Sequence, residues 1–435
     1  MRDATQALTV LAEVLPGAPR VRLEQRLAAI ADDLDGNAVF RPAELPDTHF
    51  MRFAIIDDPR RELPALLAWE SNHDGPPAAY LTAVARAAPS ITAVFECCAG
   101  YPAEGTAAVE AWVAWMLAHA HRAAAFYTAY RGVPRQTVVT AGRIHDEIRE
   151  VLDRERDALD GLSASDLQRA IRDRVAARAP DLDLDPDPDL GLGGDDERRW
   201  LLGKIAAIAA LIVAAPLIVV VAPIWYLVLR HQENQDIASA YARPLDIDPA
   251  VRCLEDQVTQ NQLTHVVDIK PGWFRFATLW LVLFGIDVAA RVWQVRGALG
   301  GITAIHFARW VIVRDPRPEP DRAGHPPRHR LVFFSNYDGS WESYLGEFID
   351  RAASGLTAVW SNTRGFPATG HLILAGARDE ESFKQWTREH QLPTQVWWSG
   401  VPESTVQNVR DDIEIWRQLA HGLADHEMAD WLRKL

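Results

Sequence analysis

Ser335-Asn336-Tyr337-Asp338-Gly339 repeats Ser71-Asn72-His73-Asp74-Gly75, and the reading of the whole chain follows from that pair. Upstream, His49-Phe50-Met51-Arg52-Phe53 recurs as His306-Phe307-Ala308-Arg309-Trp310, and Asp58-Pro59 as Asp315-Pro316. Downstream, Tyr80 recurs as Tyr344, ITAVFECCAGYP (91–102) as LTAVWSNTRGFP (356–367), and Gly132-Val133-Pro134 as Gly400-Val401-Pro402. Blocks kept in one order mark a duplicated unit.

Within each copy, alternating apolar positions rich in β-branched and aromatic residues predict strands. They are FMRFAII and FARWVIV, then PALLAWESN and RLVFFSN, then ITAVFECC and LTAVWSN, and last AFYTAYRG and TQVWWSG. Helices are expected over 77–88 and 340–353, over 106–124 and 379–390, and after each closing Gly-Val-Pro. Residues 1–35 read as helix, from Leu8, Leu11 and Leu15 and then Leu23, Leu27 and Ile30. The expected class is α+β: two ferredoxin-like repeats packed sheet to sheet as an intramolecular dimeric α/β barrel, with a helical membrane insertion between them.

The insertion rests on Ile205–Leu229, 25 residues without a charge. About 20 apolar residues span a bilayer core. Arg198, Arg199, Lys204, Arg230 and His231 flank the run, and Trp200, Trp225 and Tyr226 suit an interface. A buried core helix is the alternative. Pro216 and Pro223 make either a kinked span or a helix–break–helix hairpin. A second apolar stretch, Trp273–Val295, is interrupted by Arg275, Asp287 and Arg291. It reads as an interfacial or re-entrant helix, with a second span as alternative. Two repeats that pack together must lie on one side of the membrane, so the insertion has to return. The expected divisions are an N-terminal helical segment 1–36, a first repeat with trailing helices 37–180, an acidic linker 181–199, a membrane-associated region 200–302 and a second repeat 303–435. The amide-rich stretch 251–275 reads as a polar connection, with a lipid or quinone entrance at the membrane surface as the alternative.

Average composition hides this pattern: the net charge of −14 over 435 residues describes an acidic globular chain and speaks against nucleic acid as partner. The bilayer and a lipophilic small molecule are the partners expected. The N-terminus reads as lacking a signal peptide. Cys97, Cys98 and Cys253 form no CxxC pair, so no disulfide framework or thiolate metal site is expected.

Candidate chemistry gathers in the second copy, where the first has Pro76, Pro77, Cys97 and Ala99 opposite Ser340, Trp341, Asn362 and Arg364. The expected catalytic set is Asp338, Asn336, Arg309, Tyr344 and Arg364. Asp338 would be the acid/base, with an arginine stabilising an anion. Asp74 and Asp338 would alternatively cap the helices that follow them, and their glycines permit a positive φ. His306 and Arg309 differ by an odd number of positions, so opposite faces are expected. His306 and His390 are the candidate cofactor ligands. No metal site is expected.

The blocks IHFARW, FFSNYDGSWESY, LTAVWSNTRGFP and TQVWW resemble a poorly characterised family of bacterial membrane-associated proteins. The doubled unit is similar to the dimeric α/β barrel superfamily, which includes dye-decolourising peroxidases. Their GxxDG motif meets this chain at Asp338-Gly339, with Ser335 in place of its first glycine. The resemblance implies a membrane-bound, peroxidase-like oxidoreductase acting on a lipophilic substrate with haem, at the bacterial inner membrane, its repeats facing the cytoplasm. The alternatives are a non-enzymatic lipid- or partner-binding protein of the membrane surface and a cofactor-free enzyme on a small lipophilic molecule.

Overall fold

The computed structural model describes residues 5–58, 60, 62–186, 195–213, 215–236, 249–252, 255–256, 258–292, 299–317, 324, 326–421 and 425–435. Cys253 and part of the acidic linker lie outside them.

The chain is mixed α and β, with antiparallel sheets. The first half runs β1 (Thr5–Glu13), α1 (Ala18–Asp32), β2 (Thr48–Ile56), β3 (Leu66–Asp74), α2 (Pro77–Ala87), α3 (Thr92–Phe95), α4 (Val109–Ala118), β4 (Ala123–Thr128) and α5 (Arg135–Arg154), with α6 (Arg156–Leu159) and α7 (Ala164–Arg178) trailing. Between the halves come α8 (Asp195–Val213), α9 (Ala215–Gln235) and α10 (Pro249–Arg252). The second half repeats the order: β5 (Gln260–Asp268), α11 (Trp273–Val292), β6 (Ile305–Val313), β7 (Arg330–Asp338), α12 (Trp341–Trp360), a short hairpin of β8 (Thr369–Gly370) and β9 (Leu374–Ala375), α13 (Glu380–His390), β10 (Val396–Ser399), α14 (Val406–His421) and α15 (Asp425–Leu432).

One four-stranded sheet is ordered β1-β3-β2-β10 and the other β4-β6-β7-β5. Each half therefore gives its last strand to the other half's sheet: β10 pairs with β2, and β4 with β6. The seams are tied as well. Just before β4, the Leu11 amide donates to the His119 carbonyl and the His121 amide to Thr9, which covers the edge of β1. Just before β10, the Leu392 amide does the same to Thr264 on the edge of β5. Free edges of this kind invite pairing with other chains, and here the connections into the exchanged strands occupy them.

Several expectations are corrected. Residues 5–13 form a strand, because β3 pairs along one backbone edge and residues 119–121 bond to the other. Leu8 and Leu11, three apart, fit a helix equally well, which is why periodicity misled. The expected third strands are helical: Thr92–Phe95 is α3, and Leu356–Trp360 is the end of α12. Their aromatic and β-branched residues pack a helix face on the core, and tertiary context overrides propensity. Residues 260–268, within the amide-rich stretch expected to be a polar connection, form β5 of the second sheet. Gln260 donates to the carbonyls of Val401 and Ser404 from a buried position. The 273–292 segment holds the place that α1 holds in the first half, packed beside an exchanged strand. Among the described residues, Trp273–Ala290 is long and apolar enough to cross a membrane, but 44% of it is buried inside the protein, which fits a core helix as well.

A matched pair of glycines shows how the repeat is built. Gly105 and Gly376 both adopt positive φ, 54° and 55°. A Cβ on Gly376 would lie 2.6 Å from Thr357 Cγ2, and one on Gly105 2.7 Å from Thr92 Oγ1. The two threonine hydroxyls accept the amides of Ala377 and Thr106. Gly376→Ala is expected to destabilise by about 1–3 kcal/mol through this clash and the left-handed backbone, measurable as a lower urea midpoint.

Candidate functional site

Between the sheets lies a buried polar knot. Arg52 Nε donates to Glu70 Oε2 at 2.8 Å, and Arg309 reaches Glu70 Oε1 at 2.7 Å. Each guanidinium also crosses to the opposite sheet. Arg52 bonds the Leu263 carbonyl, Thr264 Oγ1, the Ser335 carbonyl and Asn336 Oδ1. Arg309 bonds the Leu8 carbonyl, Thr9 Oγ1, the Ser71 carbonyl and Asn72 Oδ1. The two sets are related by the repeat. All three ionised side chains are at most 1% exposed. Burial pushes both arginines down, Arg309 to about 10, against the opposing pull of Glu70.

The repeat is broken at one point. Asn72 Nδ2 donates to Glu70 Oε1, whereas the equivalent of Glu70 in the second copy is Phe334. Arg52 sits 5.3 Å from the centre of that ring, and the buried Nδ2 of Asn336 has no acceptor among the described residues. Asn336 Oδ1 accepts from Trp397 Nε1 as well as from Arg52.

At one end of the sheets stand two His–Asp pairs. His49 Nε2 meets Asp74 Oδ1 at 2.9 Å, and His306 Nε2 meets Asp338 Oδ1 at 2.8 Å. The other carboxylate oxygen of each Asp accepts a helix-starting amide: Arg135 of α5 at 2.7 Å and Val406 of α14 at 2.8 Å. The aspartates thus cap the closing helices and not the helices next in sequence. α12 is capped by Ser340 instead. His306 and Arg309 both face the interior between the sheets, against the parity expectation. The register of β6 shifts between Ile305 and Phe307, and this irregularity turns His306 towards Phe50 of the other sheet. The two pairs differ in one respect. The Tyr130 hydroxyl hydrogen-bonds His306 Nδ1 at 3.1 Å, while His49 Nδ1 has no partner among the described residues. Trp398 occupies the place equivalent to Tyr130.

Burial raises the Asp74 carboxyl, but the His49 charge and hydrogen bond, the Arg135 amide and the Thr5 hydroxyl outweigh it and hold it below its ordinary value. Asp58, at the other end of the sheets, is raised by burial and lowered more strongly by Arg328 and by the amides of Leu63 and Glu62, to about 2. A folded-state pKa below the unfolded 3.8 stabilises fully above about pH 4 and is lost as pH falls through the folded value. The urea midpoint is therefore expected to drop between about pH 4 and pH 2, with a smaller drop in Asp58→Asn. Asp338→Ala is expected to cost about 1–2 kcal/mol, the usual worth of a helix-end acceptor, read by thermal melting.

The remaining expected residues are spread out. The Tyr344 hydroxyl donates to Ser335 Oγ at 2.7 Å, and its ring stacks 3.8 Å from that of Tyr337, under α12. Burial drives its pKa well up. Arg364 lies at the end of α12, where its amide donates to the Asp268 carbonyl. His390 Nδ1 donates to the Trp386 carbonyl, with the ring against His265 and Trp386. Asp338, His306, Arg309 and Asn336 thus share the inter-sheet side, while Tyr344, Arg364 and His390 do not.

The haem expectation meets an obstacle at His306. Both ring nitrogens of His306 are engaged, by Tyr130 and Asp338. Beside His265, among Trp360, Trp386, Phe333 and Phe383, the free space is about 20 Å³, against the roughly 300 Å³ or more of a ligand pocket. Among the described residues no three His, Cys, Asp or Glu side chains converge as a metal centre. Glu70 and Tyr130 were not singled out from the sequence. A carboxylate two positions before Asn72 on the same face of a strand was the available signal for Glu70. Tyr130 acts through strand exchange, which leaves no local mark.

No family model matches the chain, and no curated protein or solved structure shows significant similarity to it.

Proposed function

We propose that this protein is a monotopic lipid-binding protein of the bacterial inner-membrane surface, two ferredoxin-like repeats packed as an intramolecular dimeric α/β barrel and carrying an apolar helical arm. One observation carries the reading: the apolar run 205–229 lies on α8 and α9, and most of its described residues hold their side chains in the open. Ile205, Ile208, Ile212, Val213, Val219, Val220, Ile224 and Leu227 are all exposed. Patches of this size on soluble proteins mark contact with a membrane or a partner. The resemblance of the IHFARW and LTAVWSNTRGFP blocks to membrane-associated proteins agrees with it.

The ends of the run favour lying in the surface over crossing. Lys204 pairs with Asp287 at 2.8 Å, and the Trp225 ring lies 4.4 Å from Phe274. Both anchors are on α11, about 20 Å apart at 1.5 Å per residue, and α11 is held against β4 and α12. The arm leaves and rejoins one body, with that body on the cytoplasmic side. Purification in detergent followed by native mass spectrometry tests the reading: co-purified phospholipid is expected. A lipid-free protein with a Soret band would return the function to a haem oxidoreductase.

A second reading rests on the Tyr130–His306–Asp338 chain, which only one half possesses. It is acid–base chemistry on a small lipophilic molecule without a cofactor. Activity lost in Asp338→Asn and Tyr130→Phe with melting unchanged would support it.

A further inference from the structure

Beside the foot of the apolar arm, a cavity of about 460 Å³ opens between α8, α11 and the ends of β4 and β6. Arg122, Lys204 and Arg314 line it with a single carboxylate, Asp287. Arg122 and Arg314 are exposed. The walls are aromatic: Lys204 Nζ lies 4.3 Å from the Phe284 ring centre, and the Arg314 guanidinium 6.0 Å from that of Phe276. Trp280, half exposed, forms the rim.

From this geometry we infer that the cavity holds the phosphate headgroup of an anionic phospholipid, an inference that rests on the membrane-surface reading above. Three cations against one carboxylate are local and contrary to the chain, whose net charge of −14 repels an anionic surface. A body repelled as a whole gains from one basic pocket placed where the bilayer is met. The apolar run starts at Ile205, the residue after Lys204, and Ile208, Trp280 and Leu281 are exposed nearby. A phosphate seated between Arg122 and Arg314 therefore leaves its acyl chains alongside apolar surface. Basic pockets beside membrane-embedded helices bind lipid headgroups in this manner, each cation adding to the attraction. Aromatic walls carry cations at the interface without burying them.

The test compares vesicles of phosphatidylcholine alone with vesicles of equal parts phosphatidylcholine and phosphatidylglycerol, by co-sedimentation. The protein is expected to bind the mixed vesicles roughly tenfold or more tightly. The Arg122→Gln/Arg314→Gln variant is expected to lose that preference while keeping its binding to phosphatidylcholine. Arg351→Gln, an exposed arginine outside the cavity, is expected to keep the preference. Undiminished preference in the double variant, or none in the parent protein, overturns the headgroup site and leaves the membrane reading standing. Absence of binding to either vesicle overturns both. Loss of the preference on adding soluble glycerophosphate at equal ionic strength assigns the cavity to a water-soluble phosphate and also overturns the lipid assignment.

Discussion

Glu70→Gln is expected to destabilise the protein by about 3–5 kcal/mol, the cost of removing one member of a buried charge group. Glutamine keeps the shape and still accepts a hydrogen bond, so the loss isolates the charge. Two guanidinium groups, each at most 1% exposed, would remain between the sheets without a counter-ion. The thermal midpoint should fall by on the order of 5 °C or more. The broken repeat supplies a stricter check. Phe334 is the equivalent of Glu70, it faces Arg52, and the Asn336 amide beside it lacks an acceptor. Exchanging the two residues, as Glu70→Phe with Phe334→Glu, moves the carboxylate to the matching place in the other half. The exchange variant is expected to recover most of the stability that Glu70→Phe loses alone. A double variant no more stable than the single one would show that the halves are not equivalent around this knot.

Much of this arrangement was legible in the sequence, because the duplicated blocks carry it. The matched His, Arg, Asn and Asp positions all proved to be paired features of the sheets. The strands from Phe50 and Phe307 are where periodicity places them. What was hidden depends on non-local geometry. Nothing near Val396 or Ala123 says that these strands join the opposite sheet, since an exchanged strand has the same pattern as one that stays. The face of His306 was misjudged for a related reason: parity counting assumes an unbroken register, and the shift at Ile305/Phe307 breaks it. The role of Asp338 was half visible. An Asp before a Gly reads as a local cap, yet its carboxylate reaches the amide of Val406, 68 positions away. Residues 5–13 show the converse. Their apolar spacing fits helix and strand alike, and only β3 as partner decides between them.

Ile212→Asp/Val219→Asp is expected to weaken vesicle binding roughly a hundredfold while leaving the melting temperature within error. Both side chains are open, at 68% and 71% exposure, and exposed substitutions away from special features change stability by less than about 0.5 kcal/mol. In the bilayer the balance reverses. Transfer of an Asp at the membrane centre costs about 2.5–3.5 kcal/mol, and less for a helix lying in the surface, so two of them should weaken binding roughly a hundredfold. The contrast between the two readouts gives the experiment its force. If α8 and α9 were instead the interior of a larger soluble assembly, the same charges would break that assembly and lower its melting temperature with no effect of lipid. Loss of vesicle binding at constant melting temperature singles out the arm as the anchor. Retained binding would shift the anchor to α11, whose Trp273, Trp280 and Leu281 are also exposed. An arm lying in the membrane plane would carry a further consequence: with both ends packed on α11, a cysteine placed at Ile205 or at Tyr226 should be labelled from the same side of sealed vesicles.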